Sequence, residues 1–147
     1  MKQIHRLLLI TFITIMTGCS TAPKEPPVKE SLYNRLGGEK AIVAVVQDFT
    51  ERLSTNPKTK DHFKNSDLRV FKERLFEQIC QASGGPCTYQ GGDMKTVHKG
   101  MKITNEEFDI TVQELVATLK ALKVPKQEQD EILSVLGPMR TDIVEMQ

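Results

Sequence analysis

Gly91-Gly92-Asp93-Met94-Lys95-Thr96-Val97-His98-Lys99-Gly100 is the stretch on which the reading of this chain turns. Asp93 has the side chain of a helix N-cap. Met94, Val97 and His98 then share one face of the short helix it would open. An imidazole set among apolar neighbours is a candidate metal ligand, because its neutral ring offers one bare nitrogen. A lone histidine carries little by itself, so the flanking segments must supply the context.

Those segments read as helices, giving an all-α fold class. On the C-terminal side, Thr104-Asn105-Glu106-Glu107 has the form of a capping box. It opens a helix with Phe108, Val112, Leu115, Val116, Leu119 and Leu122 on one face. Pro125 starts the last helix as a first-turn residue, with a stripe of Ile132, Leu136, Met139 and Ile143. Gly137-Pro138 should kink it. On the N-terminal side, Ser31 to Leu36 forms a short helix stopped by Gly37-Gly38. A second helix runs from Glu39 to about Ser54, with Ile42, Val45, Val46, Phe49 and Leu53 inward. Lys58 to Asn65 is a turn region, and Ser66 or Asp67 caps a helix from Leu68 to about Ser83. Its inner face is Leu68, Phe71, Leu75 and Ile79, and Gly84-Gly85-Pro86 closes it. No alternating run is long enough for a strand.

The chain has 147 residues, enough for one domain with a real core. Its formal charge is +1, and removal of residues 1–18 leaves 18 basic against 19 acidic residues, or −1. A near-neutral surface argues against nucleic acid as a partner.

The first residues form a targeting segment. Lys2 and Arg6 precede Leu7 to Met16, an apolar run of 10 residues. As a helix it would span about 15 Å, half the bilayer core, so it reads as a signal-peptide core. Thr17-Gly18-Cys19-Ser20 resembles the lipobox of bacterial lipoproteins, in which the cysteine is lipidated. A cleaved secretory signal with an incidental cysteine, or a membrane anchor, are the alternatives. Residues 19–30, with Pro23, Pro26 and Pro27 among charged residues, read as a tether, leaving 31–147 as the folded domain. The implied location is the bacterial cell envelope, with the domain lipid-anchored at the outer membrane.

Four segments together resemble the truncated haemoglobins, most closely group I. Ser31-Leu-Tyr-Asn-Arg-Leu-Gly-Gly38 is similar to the family's opening helix and first diglycine. Asp61-His-Phe-Lys-Asn-Ser-Asp67 resembles the turn that carries a haem-stacking phenylalanine, here Phe63. Gly84-Gly-Pro86 with Tyr89-Gln-Gly91 resembles the second diglycine and its loop, and Met94 to Gly100 the helix of the iron ligand, His98. The resemblance covers about residues 31–145. It implies a two-over-two helical sandwich around haem b.

Carried onto this sequence, the resemblance makes His98 the proximal ligand. The pocket walls become Phe63, Phe71, Leu75, Ile79, Met94, Val97, Ile103, Phe108 and Leu115, with Lys95 and Tyr89 within reach of the propionates or else surface residues. His62 becomes a polar turn residue near the haem edge or solvent. The distal side departs from the family. Thr50 and Leu75 stand where a tyrosine and a glutamine usually donate hydrogen bonds to dioxygen. Arg74, Gln78 and Thr111 are the remaining polar candidates.

Cys80 and Cys87 lack the Cys-x-x-Cys-His spacing of covalent haem attachment. In an oxidising compartment they can pair; otherwise Cys80 is a small buried residue and Cys87 an exposed thiol. The function expected is binding of dioxygen, nitric oxide or carbon monoxide at an open iron site, for oxygen binding or transport or nitric oxide detoxification. The iron would be served by a reductant the sequence does not identify. A haem redox or peroxidase-like enzyme, or a haem sensor, is the alternative.

Overall fold

The computed structural model describes residues 29–146. The signal segment, the lipidation candidate Cys19 and most of the tether lie outside the described residues. Among the described residues the chain forms seven α-helices: α1 (Leu32–Arg35), α2 (Gly38–Thr55), α3 (Leu68–Ala82), α4 (Met94–His98), α5 (Asn105–Ala121), α6 (Lys126–Leu136) and α7 (Arg140–Ile143). One 3-10 turn, Lys60–Phe63, follows α2, and another, Gly137–Met139, separates α6 from α7. No strand forms among them; a single parallel bridge joins Thr104 to Met146. Nor is any of these helices long and apolar enough to cross a membrane.

The helix starts are written in side-chain chemistry. Ser31, Asp67 and Asp93 each accept backbone N–H groups of the helix they open. Thr104 and Glu107 form both halves of the capping box. Gly37, between α1 and α2, has φ of 104°, which side-chain-bearing residues rarely adopt.

Two boundaries differ from the sequence reading. Pro125 sits just outside α6 in extended backbone, as its N-cap. At Gly137-Pro138, where a kink was expected, the α-helical pattern of α6 ends at Leu136 and gives way to a 3-10 segment before α7, with the flanking backbone still right-handed helical. Proline cannot donate the next helical hydrogen bond, so the ladder stops there.

The core gathers Ile42, Val45, Val46, Phe49 and Leu53 from α2 with Ile79, Cys80, Leu115, Leu119 and Ile132. Helix α2 packs on α3 and α5, and α4 packs on α7. Arg35 clamps α1 to α6 by donating to Glu128 at 2.6 Å and to Glu131. Cys80 and Cys87 are disulfide-bonded, with Cα atoms 5.7 Å apart. The bridge ties the end of α3 to the 84–92 loop.

Candidate functional site

The helices enclose a cavity of about 620 Å³, within the range of small-molecule and cofactor sites. Helix α3 supplies Phe71, Leu75 and Gln78 to its wall; α4 supplies Met94, Val97 and His98; α5 supplies Phe108, Thr111 and Leu115. Ile103, from the loop before α5, completes this set. Phe63 reaches it from the 3-10 turn and meets Phe71 edge to face, ring centres 5.1 Å apart. Leu136, Met139 and Ile143 close it from the C-terminal segment. The sequence reading had named these three only as part of the apolar stripe of the last helix.

His98 is the feature around which the wall is arranged. Its Nδ1 lies 2.7 Å from the carbonyl oxygen of Met94, one turn earlier in α4. A carbonyl can only accept, so Nδ1 carries the proton and Nε2 of the neutral ring keeps its lone pair. The same bond fixes the plane of the ring.

Other polar residues of the wall are tied down. His62 Nε2 pairs with Glu107 at 3.0 Å, and the other Glu107 oxygen accepts from the N–H and hydroxyl of Thr104. Burial raises the Glu107 carboxyl, but the Thr104 N–H and His62 outweigh it, and its pKa lies below the ordinary value. Thr111 donates its hydroxyl to Glu107 O at 2.9 Å. Arg74 donates to both oxygens of Glu77, at 2.8 and 2.7 Å. Gln78 Nε2 points at two sulfurs, Met94 Sδ at 3.1 Å and Met139 Sδ at 3.3 Å. Tyr89 donates to Gly92 O at 3.0 Å, and burial pushes its phenol up.

Three of the expected site residues, one from the wall, one from the propionate or surface set and one from the distal set, do not border the cavity. Ile79 is buried in the core and borders a separate void of about 10 Å³. It lies about 100° round the helix from Gln78, which is enough to change sides. Lys95 is exposed and does not border the cavity. Thr50 is buried between the wall residues Phe49 and Leu53 in sequence but does not itself border the cavity. Its hydroxyl, alone among buried side-chain polar atoms of the described residues, has no hydrogen-bond partner. His62, read as a turn residue near the haem edge or solvent, lines the cavity. Only the fold brings it against Glu107, 45 residues away in sequence.

A small helical sandwich that turns one oriented histidine into a large, mostly apolar cavity is the construction of a globin. The family model described as "Bacterial-like globin" matches residues 31–145, and the chain belongs to that family. It is 33% identical over 115 residues to the group 1 truncated hemoglobin of Tetrahymena pyriformis, covering 78% of this chain and 95% of the relative. To the group 1 truncated hemoglobin GlbN of Mycolicibacterium paratuberculosis it is 33% identical, covering 77% and 83%. The Fe(III) crystal structure of the Tetrahymena protein superposes with a TM-score of 0.75, covering 78% of this chain and 98% of that one. The 2/2 hemoglobin of Synechococcus sp. PCC 7002 does so at 0.74 with 27% identity, covering 78% and 98%.

Globins carry haem, and the residues here fit it. The cavity has the size and apolar lining for a flat macrocycle, with Phe63 and Phe71 in its wall. The bare Nε2 of His98 supplies the donor that haem iron takes.

Proposed function

We propose that this chain is a haem protein that reversibly binds small diatomic gases, held at the bacterial cell envelope by a lipid on Cys19. The observation that carries the first part is His98, which lines the cavity with its Nδ1 proton committed to Met94 O. Haem iron held by one imidazole leaves a position open to a gas. His98 would hold the group through Nε2, with its own ring oriented by Met94 O. Phe63, Phe71, Leu75 and Phe108 keep water from the space around it.

The chain's own donors set which gas is favoured. Dioxygen gains from a hydrogen-bond donor, by about 1–3 kcal/mol, or roughly ten- to a hundredfold in dissociation rate. Here Leu75 has no donor, Thr111 and Gln78 already donate within the protein, and Arg74 is drawn to Glu77 through Nη1. The pocket therefore favours carbon monoxide and nitric oxide, which depend less on such a bond, and releases dioxygen quickly.

The envelope location rests on Lys2, Arg6, the apolar run Leu7 to Met16 and the Gly18-Cys19 pair. The Cys80–Cys87 bridge supports an oxidising compartment. More than one acyl chain would anchor the domain stably. Metabolic labelling with a fatty-acid analogue tests it: label lost in Cys19→Ala supports the anchor, and an unlabelled parent protein rejects it.

Absorption spectroscopy with haem tests the central reading. A one-to-one Soret band that shifts with carbon monoxide and fails in His98→Ala supports it; no stoichiometric uptake rejects it. A second reading, peroxide chemistry, is favoured by the His62–Glu107 pair in the wall, an oriented imidazole of the kind that assists proton transfer. Peroxide-driven dye oxidation that drops at least tenfold in His62→Ala would support it.

A further inference from the structure

Helix α4 has five residues, too few to hold itself in water. It must present His98 at a fixed angle, so something outside it has to hold the helix. Asp93 caps its start and accepts from Thr96 N–H at 2.9 Å. Its end runs into a loop with two left-handed residues, Gly100 at φ 82° and Lys102 at φ 56°. The second carries a side chain, and that conformation persists only where the surroundings enforce it.

The surroundings are the end of the described chain. Glu145 accepts the N–H of Gly100 at 2.7 Å with one carboxylate oxygen and the N–H of Lys102 at 2.6 Å with the other. The backbone N–H groups of Glu145 and Met146 both donate to Ile103 O, at 2.9 and 3.1 Å. Inside the loop, Met101 N–H donates to His98 O at 3.1 Å. The loop therefore links the histidine's own carbonyl to a strap made of residues 144–146, which leaves α7 at Ile143. Ile103 and Ile143, at the two ends of this contact, line the cavity.

We propose that Glu145 is a positioning residue for His98: its carboxylate, by holding the Gly100 and Lys102 amides, sets the end of α4 and so the angle of the imidazole. Glu145 does not line the cavity and makes no hydrogen bond to the ring; its two hydrogen bonds go to the loop. A group bonded directly to a metal-binding histidine, here Met94 O, typically changes metal affinity ten- to a hundredfold when lost, and Glu145, one step further out, is expected at the low end of that range. The inference rests on the reading of His98 as the haem ligand.

The test uses the full chain and the variants Glu145→Gln, which turns one acceptor into a donor, and Glu145→Ala, which removes both acceptors. Arg35→Gln serves as a control that loosens the α1–α6 clamp instead. Amide hydrogen exchange without haem reads the strap directly. Gly100 and Lys102 are expected to be protected in the parent, both unprotected in Glu145→Ala, and one of the two unprotected in Glu145→Gln, whose amide keeps a single acceptor. With haem, the iron–histidine stretching band in the ferrous state is expected to shift or broaden. Haem release to excess apoglobin should quicken about tenfold, more in Ala than in Gln, while Arg35→Gln alters neither. Unchanged protection in the variants overturns the proposal. So does lost protection with an unmoved band and release rate, which makes the strap merely structural. Equal shifts in Arg35→Gln overturn it too, as general loosening. Failure of the parent to take up haem defeats the ligand reading and this inference with it, whereas uptake with an unmoved band defeats this inference alone.

Discussion

His98 donates its Nδ1 proton to the carbonyl oxygen of Met94 at 2.7 Å, so one turn of helix holds both the iron-binding candidate and the group that orients it. The acceptor belongs to the backbone and is present whatever side chain position 94 carries. His98→Gly should therefore lose the one-to-one Soret band. Millimolar imidazole should restore it, though with a ring free to rotate. A variant that binds haem equally well without imidazole would remove His98 from the site.

Leu75 borders the cavity and carries no donor. Leu75→Gln places an amide there. Dioxygen dissociation should slow by about tenfold, equivalent to about 1.4 kcal/mol, while carbon monoxide dissociation changes little. Laser photolysis and stopped-flow mixing measure both. Equal effects on the two gases would point to a steric change.

Thr50 keeps an unpartnered hydroxyl in a buried position. Thr50→Val keeps the shape and removes the polar atom, and should raise stability by about 1 kcal/mol in the haem-free protein. A loss of stability would mean that water or another group satisfies the hydroxyl. Faster dioxygen release in the same variant would make Thr50 the donor on the ligand side.

The Cys80–Cys87 bridge spans a separation of seven residues. Its loss in Cys87→Ser should lower stability by roughly 2–3 kcal/mol on the chain-entropy model, a fall in Tm on the order of 10 °C. Thermal unfolding with and without reductant checks this: reductant should lower the parent's Tm and leave the variant's unchanged.

Arg35 and then Gln127, donating hydrogen bonds to Glu131, hold its carboxyl down at about 2, against an ordinary value of 4.5. A carboxyl with a lower pKa in the folded state contributes stability above its unfolded value, and that contribution fades as pH falls through the folded one. The α1–α6 clamp should therefore weaken between pH 4.5 and about 2. Arg35→Gln should flatten the dependence of Tm on pH in that window. An equal slope in parent and variant would assign acid sensitivity to other carboxylates.

The sequence by itself determined the helices and their starts, because caps and turns are local chemistry. Asp67, Asp93 and the Thr104–Glu107 box each act within three residues of where they stand. It also singled out His98, an imidazole on an apolar helix face within segments whose order and spacing resemble the truncated haemoglobins. What it left to the tertiary structure was which apolar volume each inward residue meets. Periodicity places residues on a helix face, but α3 faces two volumes: Gln78 borders the cavity and Ile79, the next residue, the core. The same limit hid the cavity side of Leu136, Met139 and Ile143. The pairs His62–Glu107 and Glu145 with Gly100 and Lys102 join residues more than 40 positions apart. No spacing rule reaches that far. Such contacts exist only once the helices have packed, and they decide how the histidine that the sequence displayed is held.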